Sequence, residues 1–189
     1  DILMNSAEND MQLQTLSVLV ENEAGVLSQV TRLFTRKGYN IESLAVGVTD
    51  DPKISRITII LKGTDRMVTL LESQLSKLLP VISVRRLTDR DAIYREFFLI
   101  KVKAETRDAR DEIIQIANVF RASIVDMSKK TLMLQISGDA SKADAIMKLL
   151  SEFGIMEMAR TGMIALERGE NTIYDLGRMG AEFESGKGL

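Results

Sequence analysis

The chain has 189 residues, 45% of them hydrophobic and 28% charged, with a net charge of −2. That balance is globular rather than disordered, suits one domain or two small ones, and lacks the basic excess of a nucleic-acid surface. Cysteine and histidine are both absent, which excludes disulfides, thiol nucleophiles, Cys/His metal sites and Ser-His-Asp triads. Proton transfer would fall to Asp, Glu, Lys or Tyr with a shifted pKa.

Aromatic residues are only 5% and tryptophan is missing, so the core must be built from Ile, Leu, Val and Met. No apolar run is long enough to span a bilayer. The start, DILMNSAEND, lacks the plan of a signal peptide. Residues 1–13 are expected to be a disordered tail whose DILM precedes a native Met4. Residues 171–189 are expected to be a second tail, partly vector-derived in GRMGAEFESGKGL.

Residues 14–20 alternate Leu16, Val18 and Val20 on one face, the pattern of a half-buried strand. A helix follows Gly25, with Val26/Leu27, Val30 and Leu33/Phe34 at helical spacing, and Lys37-Gly38 closes it. Ile41 to Val48 is a second strand, Thr49-Asp50-Asp51-Pro52 a turn, and Ser55 to Gly63 a third strand carrying Ile57, Ile59 and Leu61. Thr64-Asp65 caps a helix with Val68, Leu71, Leu75 and Leu78/Leu79, which Pro80 ends, and Val81 to Leu87 is a fourth strand.

After the charged connector 88–91 the pattern repeats. Tyr94 to Ala104 is a strand and Thr106 to Phe120 a helix. Ser123 to Met127 and Thr131 to Ser137 are strands, Asp139 opens a helix closed by Gly154, and Ile155 to Ala159 is the last strand. Met163 to Leu166 extends or follows it. The fold class is therefore α+β: two tandem ferredoxin-like βαββαβ units, over 14–88 and 89–170. Each would cover one sheet face with helices and leave the other open, which favours homodimerisation.

The chemistry concentrates at Gly25. A glycine at a helix mouth lets a ligand approach N–H groups that lack intrahelical partners, where the helix dipole favours a carboxylate. Asn22 and Asn40 flank it in sequence and offer amide oxygens to an ammonium group. The competing local reading is a turn asparagine, a helix-entry glycine and a loop asparagine, and spacing alone favours it. Arg56 reads as a solvated strand cation. Met127, Met133, Met147, Met156 and Met158 read as core fillers. The segments around Tyr94–Glu96 and Ala159-Arg160-Thr161-Gly162 are either strand ends and a turn or a partner-binding surface.

The segments N-E-A-G-V-L, R-K-G-Y-N-I-E-S-L and T-D-D-P-K-I-S-R-I-T-I, with IYREFFLIKV, FRASIVDMS and MARTGMIAL later, resemble the small regulatory subunit family of acetolactate synthase from about Leu16 to Leu166. The resemblance implies that the first unit is an ACT domain. It implies an effector, usually valine, at the interface of two such domains. The family's ligand positions fall on Asn22, Gly25 and Asn40, with Val26, Leu27 and Ile41 beside them as weaker candidates for an apolar pocket. It further implies no catalytic residues, metal or cofactor in this chain. Thiamine diphosphate, magnesium and FAD are expected only in the large catalytic partner, which the small subunit activates and subjects to feedback inhibition in branched-chain amino-acid biosynthesis. Leucine or isoleucine are alternative effectors, and the expected compartment is the bacterial cytoplasm.

Two other classes fit less well. A phosphate-handling enzyme on this fold needs an arginine in the mouth, and Arg32 and Arg36 lie further along the helix. An RNA-binding sheet needs aromatics on its central strands, and IESLAVGV and SRITIILKG have none.

Overall fold

Apolar alternation and helix caps account for most of the architecture. The computed structural model describes residues 11–175, so the expectations placed on residues 1–10 and 176–189 lie outside the described residues. Strand β1 (Gln12–Glu21) sends Leu16, Val18 and Val20 into the core. It begins at Gln12, within the stretch expected to be a tail.

Helix α1 (Val26–Lys37) buries Val26, Val30 and Phe34. It ends on Gly38 at φ 71°, with the Gly38 and Tyr39 N–H groups donating to Thr35 O and Phe34 O at 3.2 and 3.0 Å. The left-handed glycine lets the chain reverse and satisfies carbonyls that the helix leaves open. Strands β2 (Ile41–Val48) and β3 (Ile54–Gly63) follow, then α2 (Asp65–Ser76) and β4 (Val81–Leu87). Thr64 caps α2 by accepting from Met67 N at 3.3 Å. The helix stops at Ser76, short of the Leu78/Leu79 pair read as its last turn; Leu78 still packs on the core, but Leu79 is 95% exposed.

The first sheet has the order β2-β3-β1-β4 with every pair antiparallel. Ile57, Ile59 and Leu61 join the β1 residues against Val68, Leu71 and Leu75 of α2. Arg86 reaches over this helical side to Asp65 Oδ1, Thr69 Oγ1 and Glu72 Oε2 at 2.9–3.0 Å, tying β4 to α2.

The second unit repeats the plan with β5 (Ala92–Lys103), α3 (Arg107–Phe120), β6 (Ser123–Met127), β7 (Thr131–Gly138), α4 (Ala140–Ser151) and β8 (Ile155–Arg160). Its order is β6-β7-β5-β8, and β9 (Ile164–Glu167) also pairs with β5. Phe98, Ile100, Val102, Leu132, Leu134 and Ile136 pack on Ile113, Ala117, Ile146 and Leu150. The tandem ferredoxin-like reading thus describes the chain.

Asp139 caps α4 through Lys142 N at 2.9 Å and also accepts from Ser141 Oγ. The Lys142 N–H, then the Ser141 hydroxyl, hold its carboxyl below its ordinary value. A depressed folded pKa gives stability that is present above the unfolded value and is lost as pH falls through the folded one. Asp139→Ala is therefore expected to lower the melting temperature at neutral pH, with the gap closing in strong acid. Thermal melts across that range check it; a gap independent of pH would assign the loss to something other than the carboxylate.

Three expectations change. By contacts, the described residues 11–93 and 165–175 form one compact unit, and Tyr94–Ile164 form the other. The sequence division at 88 and 170 differs because 165–175, of which only the end of β9 has a strand pattern, group with the first unit. There Ser83 Oγ donates to Ile173 O at 3.1 Å, and Arg85 donates to Thr172 O at 3.1 Å and Glu167 Oε1 at 2.7 Å.

Second, the face of the first sheet opposite its helices is not left open: Thr15, Ser17, Leu19, Ala45 and Thr58 are all buried. The second sheet does keep apolar exposure on that side, at Phe97 and Leu99. Third, Met127, Met156 and Met158 are exposed rather than core fillers, because they lie on the outer strands β6 and β8. Met147 alone of the five packs at the margin of the second core.

Candidate functional site

The loop between β1 and α1 is set by backbone bonds before any side chain matters. Asn22 N donates to Lys53 O at 2.8 Å, and Gln29 N donates to Gly25 O at 3.1 Å as the first full helical bond. Gly25 occupies the N-cap at φ 85°, ψ −8°, with no capping side chain on the first-turn N–H groups. A Cβ built on Gly25 would meet nothing within 4 Å. The mouth is thus both open and electropositive, the two properties a carboxylate needs.

Asn22 is exposed, and its Nδ2 donates to Pro52 O at 3.0 Å. That bond fixes the amide and leaves Oδ1 without a hydrogen bond among the described residues, an acceptor suited to an ammonium group. Leu27 is 42% exposed beside the mouth. Val26 is not available in the same way: its side chain sits in the first core, and Ile41 packs against that core from the far end of α1.

Asn40 is exposed, but it lies beyond Gly38, at the opposite end of α1 from Gly25. A helix of 12 residues rises about 18 Å. Asn22, Gly25 and Leu27 are therefore together, Asn40 and Ile41 are together, and the fold of one chain does not bring the two groups to one ligand. Sequence adjacency across a helix suggested a common site because it ignores this rise.

Strand β2 forms the edge of the first sheet, and its Val46 and Val48 are exposed. An edge strand presents unpaired N–H and C=O groups to another chain.

Arg56 corrects the sequence reading. It is only partly exposed, donates to Ser17 Oγ at 2.6 Å and lines a cavity, so it is not a freely solvated cation. The local signal would have been Ser17, a small polar residue in an otherwise apolar strand. The Ala159–Gly162 segment is occupied internally. Arg160 pairs with Glu96, Gly162 N donates to Glu96 Oε1 at 3.1 Å, and Thr161 N donates to Phe97 O at 3.1 Å. Among the described residues no group of three or more Asp or Glu is placed to hold a metal ion, and no helix is long and apolar enough to cross a membrane.

Two family models match the chain. One, an AHAS small subunit-like ACT domain, covers residues 16–83, and the other, the small subunit of acetolactate synthase, covers 95–169. The "Probable acetolactate synthase small subunit" of Methanothermobacter thermautotrophicus is 45% identical over 166 residues, 88% of this chain and 99% of the relative. The acetolactate synthase small subunit of Mycobacterium bovis is 42% identical over 159 residues, 84% of this chain and 94% of the relative. The crystal structure of the acetolactate synthase small subunit from Thermotoga maritima superposes with a TM-score of 0.79 at 35% identity, covering 85% of this chain and 99% of that one.

Proposed function

The chain belongs to the acetolactate synthase small-subunit family, its first unit an ACT domain, and on that premise we propose that it senses valine between two copies of itself and passes the signal to a catalytic large subunit. The observation that carries this reading is the division of the candidate site between the two ends of α1. A twofold axis beside the edge strand β2 would run the two α1 helices antiparallel. The Gly25 mouth of one chain would then face Asn40 of the other, and the reverse contact would follow by symmetry. The valine carboxylate would sit on the first-turn N–H groups, its ammonium between the amide oxygens of Asn22 and the second chain's Asn40, and its isopropyl group near Leu27. Each dimer would hold two such sites.

Valine regulates only if it binds one arrangement of this dimer better than another. In the proposed assembly the large subunit carries thiamine diphosphate, magnesium and FAD and performs the chemistry. This chain raises that activity and makes it sensitive to the end product of branched-chain amino-acid biosynthesis, in the cytoplasm. Leucine and isoleucine differ from valine by a methyl group or its placement, worth only about 1–3 kcal/mol in an apolar pocket, so they are expected to bind more weakly rather than not at all.

The test is calorimetric titration with L-valine of Gly25→Asp, Asn40→Ala and a mixture of the two after subunit exchange. Each variant alone is expected to lose tight binding. Random pairing makes half the dimers mixed, and each mixed dimer regains one intact site, so the mixture should recover about a quarter of the wild-type capacity. A site contained within one chain would recover nothing, and that result would defeat the proposal.

A further inference from the structure

A second polar site lies on the other face of the first sheet, away from α1. It is a cavity of about 250 Å³ between that face and the returning segment, and all its lining residues belong to the first unit. At about 30 Å³ per water of liquid volume, it has room for several waters or one molecule of amino-acid size.

Two of its charged groups are incompletely served. Arg85 has Glu167 Oε1 at 2.7 Å. Arg56 has only the neutral Ser17 hydroxyl, and no carboxylate pairs with it among the described residues. Burial pushes the Arg56 guanidinium below its ordinary value, the mark of a cation short of solvation, with a smaller opposing effect from Tyr174. It stays charged nonetheless, because arginine does not deprotonate in proteins. Glu167 Oε2, in turn, is buried with no hydrogen-bond partner. Such an atom forfeits its hydration and gains nothing in return. The cavity is thus lined by a cation without an anion and by a glutamate one of whose oxygens, buried behind the wall, has no donor; Leu87 and Ile173 supply apolar wall.

We propose that this cavity binds a small monocarboxylate carrying a donor next to its carboxylate, an α-hydroxy or α-amino acid, with Arg56 holding the carboxylate and Glu167 Oε2 accepting from the hydroxyl or ammonium. Two arginines against one glutamate leave one positive charge, which an anionic ligand balances. The site stands independently of the valine site. Arg56 pairs in register with Leu19, and Ser17 with Arg85, on the face opposite the one that packs α1.

The experiment is chemical-shift mapping and calorimetry on the full chain, with L-lactate and L-alanine as probes and propionate as the comparison that lacks the donor. Saturable binding is expected, with shifts at the amides of Ser17, Arg56 and Thr172. Propionate and the Arg56→Gln variant are each expected to bind about ten- to a hundredfold more weakly, the worth of one hydrogen bond to a charged group. Gly25→Asp is expected to leave this binding unchanged. The tighter of the two probes identifies the hydroxy or the amino acid as the source.

The proposal is overturned if neither probe saturates the wild-type chain, if propionate binds as well as they do, or if Arg56→Gln has no effect. It is overturned equally if Gly25→Asp abolishes binding, since the ligand would then sit at the helix mouth. Should Arg56→Gln fail to fold, the wild-type shifts decide alone, and saturating shifts away from the cavity count against it. Loss of valine binding in Gly25→Asp alongside an intact cavity response separates the two sites.

Discussion

Gly25→Asp is expected to abolish valine binding and feedback while leaving the chain folded and able to activate its catalytic partner. The backbone at this position, φ 85°, is left-handed, which costs most L-residues roughly 1–2 kcal/mol but is tolerated by aspartate and asparagine. The added Cβ meets open space, and a carboxylate at a helix N-terminus gains about 0.3–1 kcal/mol from the dipole. The variant therefore carries some backbone strain, offset in part by the dipole, and is expected to lose about 1 kcal/mol while still folding. Binding is expected to suffer far more, because the new charge sits where the proposed site puts the ligand carboxylate. Two like charges about 4 Å apart at an effective dielectric near 20 repel by about 4 kcal/mol, close to three decades in affinity. The measurements are valine titration of the variant and activity of the reconstituted complex with and without valine. Retained feedback would remove the ligand from the helix mouth, and loss of activation together with feedback in a folded variant would show that one surface does both jobs.

The largest expected effect on stability lies in the second unit. Glu96 is buried on β5, and Arg160 of β8 grips it with Nε and Nη2 at 2.7 and 2.8 Å. The same guanidinium lies 4.9 Å from the centroid of the Phe98 ring. Removing Arg160 would leave a buried carboxylate with the Gly162 N–H as its remaining partner. Breaking a buried pair from one side costs about 3–5 kcal/mol. Arg160 is itself 54% exposed, so water can enter when it is gone, and Arg160→Ala belongs at the lower end of that range.

Hydrogen exchange at the β5 and β7 amides reads the second unit separately from the first. Glu96→Gln keeps one of the two acceptor oxygens and removes the buried charge, so it should cost less. The double replacement Glu96→Leu with Arg160→Met should recover much of the loss, since an apolar pair carries no desolvation penalty. A loss below about 1 kcal/mol in Arg160→Ala would place this pair among ordinary surface salt bridges. Since the proposed valine site uses only residues of the first unit, valine binding is expected not to change.

Much of this was legible in the chain itself. Period-2 runs such as Leu16-Val18-Val20 and helical stripes such as Val30 and Phe34 fix elements locally, because which face is apolar depends only on spacing. Thr64, Thr106 and Asp139 cap helices with their own side chains, as their positions suggested, and Gly38 closes α1 because few other residues take φ 71° cheaply. Repetition of the same order gave the tandem fold.

What the sequence could not determine depended on distance through space. Residues 168–175, past β9, carry no strand or helix pattern of their own; Thr172 and Ile173 are held by Arg85 and Ser83 on a strand 87 and 90 positions earlier. Arg56 reads as a surface cation until Ser17 and that returning segment enclose it. Asn22 and Asn40, close in sequence, are held apart by the full length of α1. Local periodicity is set by neighbours along the backbone and so appears in one dimension. A cavity, a covered sheet face and a site divided between helix ends are made by residues that meet only after the chain has folded.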